Sequence, residues 1–384
     1  MKRLKIGLFI DSFFPNVDGV VMVVDNLAKC LSKYADVTVV APDTSSKKDD
    51  INRPYKVVRI KSIHVPTTEY RLAMPLFSSK KELQDFDIIH IHSSFTIGKL
   101  GVKLAKKQNI PVIGTMHTRF DFEFKKYLKF NFLVKLGIKI IIKPYNKCDE
   151  CIAVNNALVQ VFKDYGLTKE AKVMYNATDM DILKQPKKSI NKLNAKYNID
   201  EDETVFLFTG RIISIKNVFF ILDTLKILKD KGIKFKMFYV GTGPDEEVLK
   251  RKIKEYNMTD EVILTGRITD RELLKAFYYR AKLFLFPSLF DASSLVQIEA
   301  ASQKTPTLFI EGSVTADTVT NNVNGFTALN DVNKYADRII EILNDNKLYE
   351  KVKNGAYNDL AKKWETLAKD TYALYTKAIE DKEG

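Results

Sequence analysis

Three cysteines in 384 residues (Cys30, Cys148 and Cys151) are too few for a disulfide framework and point to a reducing compartment. Cys148 and Cys151 have redox-motif spacing, yet they lead into a strand-like run, Cys151 to Val154, rather than opening a helix. No second such pair exists to complete a zinc site, so both read as structural. Long apolar runs are also missing. No stretch of about 18 apolar residues occurs, which excludes an ordinary membrane-spanning helix. The run from Lys2 to Ile10 is basic and then apolar, but Asp11 ends it too early for a secretory signal. The expectation is a cytoplasmic protein, soluble or peripheral to a membrane. Glycine is scarce at 16 residues, which matters because phosphate-cradling loops usually need it.

What is present is globular. Apolar residues make up 45% and charged residues 28%, which leaves disorder without support. The formal charge of +13 calls for an anionic partner: a phosphorylated ligand, a membrane surface or nucleic acid. Nucleic acid is disfavoured, because the charge is not gathered into an aromatic-interleaved patch and no binding motif occurs. The length suits two domains. Ile6–Ile10, Val37–Val40, Lys56–Ile60, Ile88–His92, Val112–Thr115 and Cys151–Val154 read as strands of one sheet. Val205–Thr209, Lys236–Val240, Val262–Thr265, Leu283–Phe286 and Thr307–Ile310 read as strands of a second. Near-continuous apolar strands separated by helical segments imply parallel sheets covered on both faces. The lysine-rich stretch from Tyr175 to Asn198, with Pro186 and little periodicity, is the expected interdomain linker. The fold class is α/β, with two doubly wound, Rossmann-like domains facing a cleft.

The densest chemistry lies between Pro287 and Ala301. There a strand pattern gives way to a helix, and Asp291 and Glu299 stand eight residues apart. A strand-turn-helix junction of this kind presents acids and backbone N–H groups at the carboxyl edge of an open sheet, where such sheets bind nucleotides. The helix opening around Ser293, Ser294 and Leu295 would aim its first amides at phosphate. Upstream, Gly210 ends a strand, Arg211 follows, and Lys216 comes five residues later. A planar fork and a point charge suit a diphosphate, with a surface lysine at a helix start as the lesser reading of Lys216. In Val240-Gly241-Thr242-Gly243-Pro244, the glycines let backbone approach a ligand and Pro244 can start a helix.

The N-terminal half carries Pro15-Asn16-Val17-Asp18-Gly19 after its first strand. His90 and His92 fall on one strand face, an arrangement more often buried and hydrogen-bonded than metal-binding. His117 ends another strand. Lys135, Lys139 and Lys143 recur every four residues as one cationic ridge, with Lys147 continuing the spacing beyond Pro144. Apolar residues from Phe130 to Ile142 surround them. Such a segment suits an anionic membrane interface. It suits equally a core helix with a solvated lysine edge.

Taken in order, Gly19, His117, Gly210-Arg211, Lys216, Gly241, Asp291 and Glu299 resemble the motifs of retaining GT-B glycosyltransferases of family 4, including bacterial diacylglycerol and cell-envelope enzymes. The resemblance covers nearly the whole chain. It implies a donor domain at 181–367, an acceptor domain at 1–180, and a final helix, about 368–384, crossing back to the acceptor domain. It implies transfer of a hexose from a nucleotide diphosphate sugar, UDP foremost, to diacylglycerol or a glycolipid, with a polysaccharide or polyprenyl-linked acceptor as alternative. Asp291 would lie by the donor sugar and diphosphate, Glu299 would bind the ribose hydroxyls, and His117 would sit beneath the donor sugar. Gly19 would touch donor phosphate, while Asp18, standing where the family has glycine, is open between binding an acceptor hydroxyl and assisting as a base. Gly243, Ser293, Ser294 and Leu295 would complete the donor site. No cofactor and no metal are expected, and the enzyme would work at the inner face of the cell membrane. This chain departs from the family pattern in having Asp291 for glutamate, Ser293-Ser294 for a Phe-Gly-like pair, Asp18 for the first of two glycines, and Ala177 for glycine in the Asn176 motif. An inactive sugar-binding relative remains a rival, whereas nothing in the chain marks an epimerase or a phosphorylase.

Overall fold

The computed structural model describes residues 3–44, 48–65, 71–74, 81–289, 291 and 294–384. The chain forms two compact units, one of Met1–Asn176 with Lys363–Gly384 and one of Ala177–Lys362.

The first unit runs β1 (Lys5–Phe9), α1 (Gly19–Leu31), β2 (Asp36–Pro42), β3 (Lys56–Ile60), β4 (Ser62–His64), β5 (Arg71–Ala73), β6 (Ile88–Ile91), α2 (Thr96–Gln108), β7 (Val112–Met116), α3 (Phe120–Tyr127), α4 (Asn131–Tyr145), β8 (Glu150–Ala153), α5 (Asn156–Asp164) and β9 (Ala171–Val173). Seven strands form one sheet in the order β3-β2-β1-β6-β7-β8-β9, and every pairing in it is parallel. The order reverses between β1 and β6, where Leu8 lies opposite His90. Strands β4 and β5 make a separate antiparallel hairpin.

The second unit runs α6 (Pro186–Tyr197), β10 (Thr204–Thr209), α7 (Val218–Asp230), β11 (Phe235–Val240), α8 (Glu246–Glu255), β12 (Val262–Gly266), α9 (Arg271–Arg280), β13 (Leu283–Leu285), α10 (Leu295–Ser302), β14 (Thr307–Ile310), β15 (Phe326–Ala328), α11 (Val332–Asn344) and α12 (Asn346–Leu360). Its strands order β12-β11-β10-β13-β14-β15, again all parallel, and this sheet switches direction between β10 and β13. Val205, Phe206, Leu207 and Phe208 are fully buried in β10. Helices on both faces bury each residue of the strand, so it needs no alternation of apolar and polar side chains. Burial of each large side chain is worth about 1.5–3 kcal/mol. The last helix, α13 (Trp364–Glu383), packs on α1 in the first unit.

Three expectations change. The stretch from Tyr175 to Asn198 is not all linker: α6 occupies its second half, with Pro186 in the first turn and Leu193 buried. Proline is favoured there because its missing N–H would be unpaired in any case. The final helix starts at Trp364 rather than near 368, and Trp364 is buried. Strands β9 and β15, three residues each at sheet edges, are too short to show a period. The scarcity of glycine also has a structural answer. Asn109, Asn198, Asn217, Asn257 and Asn322 take positive φ, filling left-handed positions that glycine commonly holds.

Candidate active site

In the first unit, the carboxyl ends of β1 and β6 are tied together at the switch point. The Asp11 carboxylate accepts from Ser93 Oγ (2.6 Å), from the N–H groups of Phe95 (3.1 Å), Ile97 (2.7 Å) and Gly98 (3.3 Å), and from Thr96 Oγ1 (3.1 Å). Asp11 thereby supplies the acceptors that the first turn of α2 lacks. The loop that follows is clamped by Arg59, whose Nη2 donates to Phe14 O at 2.9 Å. Arg53 adds its guanidinium carbon, 4.1 Å from the centre of the Phe14 ring. Asp18 caps α1, accepting from Val21 N at 2.8 Å, and burial pushes its carboxyl above the usual range. A Cβ on Gly19 would meet nothing within 4 Å, so packing does not demand glycine there, and the space above the helix start is open.

Three histidines converge at the same edge. His90 bonds Tyr375 OH through Nδ1 and Thr115 Oγ1 through Nε2, each at 2.6 Å. The His90 and His92 rings lie 4.0 Å apart, so the pair shares a face and is buried as its spacing implied. His92 Nδ1 and His117 Nε2 are 3.0 Å apart. Burial holds all three neutral: His90 and His117 are lowered to about 3, and His92 falls well below its ordinary value. His92 Nε2 and Ser12 Oγ are buried without a hydrogen-bond partner.

Away from this edge, α4 buries Val134, Ile141, Ile142 and Tyr145. Its other face exposes Lys135, Lys139 and Lys143, interleaved with Phe132 (66% exposed), Leu136 (52%) and Ile140 (43%), while Phe130 (61%) flanks the start. A plain core helix would show lysines alone on that face. Pro144 sits in the last turn, and Lys147 lies beyond the helix end. Among the described residues, no helix is long and apolar enough to cross a membrane.

In the second unit, two glycine turns press together at the carboxyl ends of β10 and β11. Gly210 and Gly241 have φ of +145° and +141°, and a Cβ on Gly241 would lie 1.9 Å from Gly210 O. A Cβ on Gly243 would lie 2.1 Å from Ile212 O. Both positions therefore require glycine on backbone grounds alone. Arg211 is exposed beside them. Lys216, in the short 3-10 turn before α7, makes an ion pair and hydrogen bond with Asp291 Oδ1. The other carboxylate oxygen, Asp291 Oδ2, and Ser288 Oγ are buried without a partner. Ser294 caps α10 through a 3.3 Å bond from Gln297 N, and Leu295 opens that helix. Ser293 lies outside the described residues. Glu299, one turn into α10, accepts from Tyr278 OH at 3.1 Å, and Arg271 Nη1 stands 3.5 Å away. Burial raises the Glu299 carboxyl, while Arg271 and Tyr278 oppose the rise. Arg271 also pairs with Asp179.

The structure thus brings Lys216 to Asp291, and groups both with Ser288 after the two switch-point strands. Sequence reasoning passed over four residues: Asp11, His92 as partner of His117, and the Glu299 supports Arg271 and Tyr278. Arg271 and Tyr278 stand seven apart on α9, two turns on one face, a spacing readable only once Glu299 is known to need support. Asp11 carried a weak signal, a carboxylate placed directly after the first strand.

Two family models match in the order that this geometry implies. The model described as Glycosyltransferase Family 4 covers residues 17–182, and that of Glycosyl transferases group 1 covers 189–359. The chain belongs to the GT-B glycosyltransferases of family 4. This glycosyltransferase is 27% identical over 317 residues to the alpha-monoglucosyldiacylglycerol synthase of Streptococcus pneumoniae, covering 79% of this chain and 70% of that protein. It is 25% identical over 320 residues to the enzyme of the same name from Acholeplasma laidlawii, covering 79% of each. Anabaena Alr3699/HepE, solved in complex with UDP, shares the fold with a TM-score of 0.80 at 16% identity, over 97% of this chain and all of that one. The glycosyltransferase is accordingly an enzyme that transfers sugar.

Proposed function

We propose that this enzyme transfers a hexose, with retention of anomeric configuration, from a UDP-sugar to a lipid hydroxyl held in an anionic membrane, the acceptor being diacylglycerol or a glycolipid. The exposed face of α4 carries the acceptor half of this reading. Three lysines and three large apolar side chains on one solvent-facing stripe match an interface that is anionic at the headgroups and apolar just below. The names of the two synthases and the UDP bound by HepE point the same way.

The donor half rests on Lys216, Asp291, Ser288 and the paired glycine turns. In the proposed step, the bond from the sugar's anomeric carbon to the diphosphate oxygen breaks, and the diphosphate leaves with the electron pair. The acceptor hydroxyl oxygen bonds to the same face of that carbon, and its proton passes to the departing diphosphate oxygen. Arg211 and Lys216 meet the developing charge, a role worth about 10²–10³ in rate for a well-placed donor. Asp291, paired with Lys216 in the free enzyme, keeps that lysine aimed until the diphosphate arrives. Glu299 takes the ribose hydroxyls, and His117 lies under the sugar ring. Two cations at the leaving group supply the charge a divalent metal would otherwise bring, so turnover in a metal chelator should equal turnover without it.

The deciding experiment measures UDP release from UDP-glucose, UDP-galactose and UDP-N-acetylglucosamine, with and without vesicles of anionic lipid and diacylglycerol. The product's anomeric configuration is then read by NMR. Lipid-stimulated release and an α-linked product are expected. Release indifferent to lipid would overturn the acceptor assignment, and a β-linked product would overturn retention.

A further inference from the structure

We propose that His92 is a positioning residue that locks His117 in the tautomer protonated on Nδ1, so that His117 presents a hydrogen-bond donor, never a lone pair, on its outward side. The inference rests on the reading of His117 as a donor-sugar contact. It adds the protonation pattern and the residue that sets it.

The argument is one of counting protons. His92 Nδ1 and His117 Nε2 lie 3.0 Å apart, and a single proton must sit between them. With both rings neutral, two arrangements exist. In one, His117 Nε2–H donates to His92 Nδ1. His92 must then carry its own proton on Nε2, which is buried and has no acceptor. In the other, His92 Nδ1–H donates to a bare His117 Nε2, and only a lone pair of His92 is left unmet. Buried N–H groups without acceptors are the rarer and costlier defect. The second arrangement therefore holds, and it forces the His117 proton onto Nδ1, because the hydrogen bond at one ring nitrogen sets the state of the other.

The surroundings keep His92 from escaping this role. Its ring lies against that of His90, which is itself fixed between Tyr375 OH and Thr115 Oγ1. Tyr375 comes from α13, so the C-terminal helix completes the support. On the chain's other side, the Asp11–Ser93 bond fixes the backbone next to His92. Burial also keeps the three rings neutral, which excludes a doubly protonated ring that would donate from both nitrogens. A neutral donor on Nδ1 suits a sugar hydroxyl oxygen and leaves the anomeric centre without an added charge.

The test reads protons rather than activity first. Two-bond 1H–15N correlation spectra of the full-length protein labelled at histidine report the tautomer of each of its four rings. A His117→Gln sample assigns the His117 signals. The expected result is His117 protonated on Nδ1 in the wild type. His117 found protonated on Nε2 overturns the proposal at once, and this wild-type arm needs no variant to fold. In His92→Asn, whose amide nitrogen can replace the Nδ1 donor, His117 should keep its tautomer and most of its turnover. In His92→Leu, the Nε2-protonated form should appear, with kcat down about tenfold, the loss of one neutral hydrogen bond, and KM for the donor nearly unchanged. A His117 tautomer unmoved by His92→Leu also overturns it. A wild-type His117 with the expected tautomer but no turnover of any UDP-sugar would leave the lock standing and remove the sugar-contact reading instead.

Discussion

The two sheet edges solve different problems with the same topology. At the switch point of the first unit, the titratable groups are three packed histidines, of which His92 and His117 are hydrogen-bonded to each other, all held neutral by burial. At the switch point of the second, they are a Lys216–Asp291 ion pair and a Glu299 flanked by Arg271. Each edge leaves buried polar atoms unmet: Ser12 Oγ and His92 Nε2 in one, Ser288 Oγ and Asp291 Oδ2 in the other. Folding rarely leaves such atoms unpaired without a reason, among them an ordered water, an ion or a catalytic role. Under the proposed function, the cations of the second unit suit a diphosphate, and the neutral hydrogen-bonding groups of the first suit hydroxyls.

The sharpest way to break this contrast is to remove the cations of the charged edge. Arg211→Ala with Lys216→Ala should abolish measurable turnover, since each donor to a leaving charge carries about 10²–10³ in rate. Arg211 is exposed, and Lys216 is partly exposed in its pair with Asp291, so the fold should survive with a modest fall in melting temperature from the unpaired Asp291. Near-normal kcat in the double variant would sink the assignment of the second unit as the phosphate side. Next in size is the proposed membrane face. Changing Lys135, Lys139 and Lys143 to alanine should weaken sedimentation with anionic vesicles about a hundredfold, at about 1 kcal/mol for each lysine. Activity on a water-soluble acceptor analogue should survive. Sedimentation that resists both these changes and added salt would remove α4 from the interface.

How far the sequence carried these conclusions follows from what each signal depends on. Central strands were legible because burial on both faces turns them into unbroken apolar runs, as in Val205 to Phe208. Gly241 and Gly243 were legible because the backbone there admits no Cβ, whatever the protein does. Edge strands β9 and β15 were not, since three residues cannot display a period. The helical half of the supposed linker was hidden by its polarity: α6 buries only Leu193. The Lys216–Asp291 pair spans 75 positions and the His90–Tyr375 bond 285. No local pattern encodes such pairs, and only the fold brings them together.

A smaller effect separates the units by pH. His90, His92 and His117 are neutral when folded, with pKa values below the unfolded value of about 6.5. Between that value and the folded one, the unfolded chain binds more protons, so stability rises with pH and is lost as pH falls from about 6.5 toward 3. Three such groups give a slope of about 4 kcal/mol per pH unit at most. The charged edge of the second unit has no comparable set of buried bases. The first unit should therefore unfold first on acidification, and the chain's single tryptophan, Trp364, is buried in that unit. Its fluorescence should change at a higher pH than the loss of total helix measured by circular dichroism. Coincident transitions would mean that the histidine cluster does not distinguish the units.

The smallest expected effect tests how finely the charged edge is tuned. Tyr278→Phe removes the hydroxyl that donates to Glu299 Oε2 and accepts from Thr209 Oγ1, 2.5 Å away. The carboxylate keeps Arg271, so its charge survives while its orientation loosens. A single hydrogen bond of this kind is worth about 1 kcal/mol, which corresponds to a rise of about fivefold in KM for the nucleotide sugar. Because Glu299 is assigned to the ribose and not to the reacting carbon, kcat should hardly move. A fall in kcat at constant KM would instead place Glu299 at the chemistry and shift the division of labour along α10.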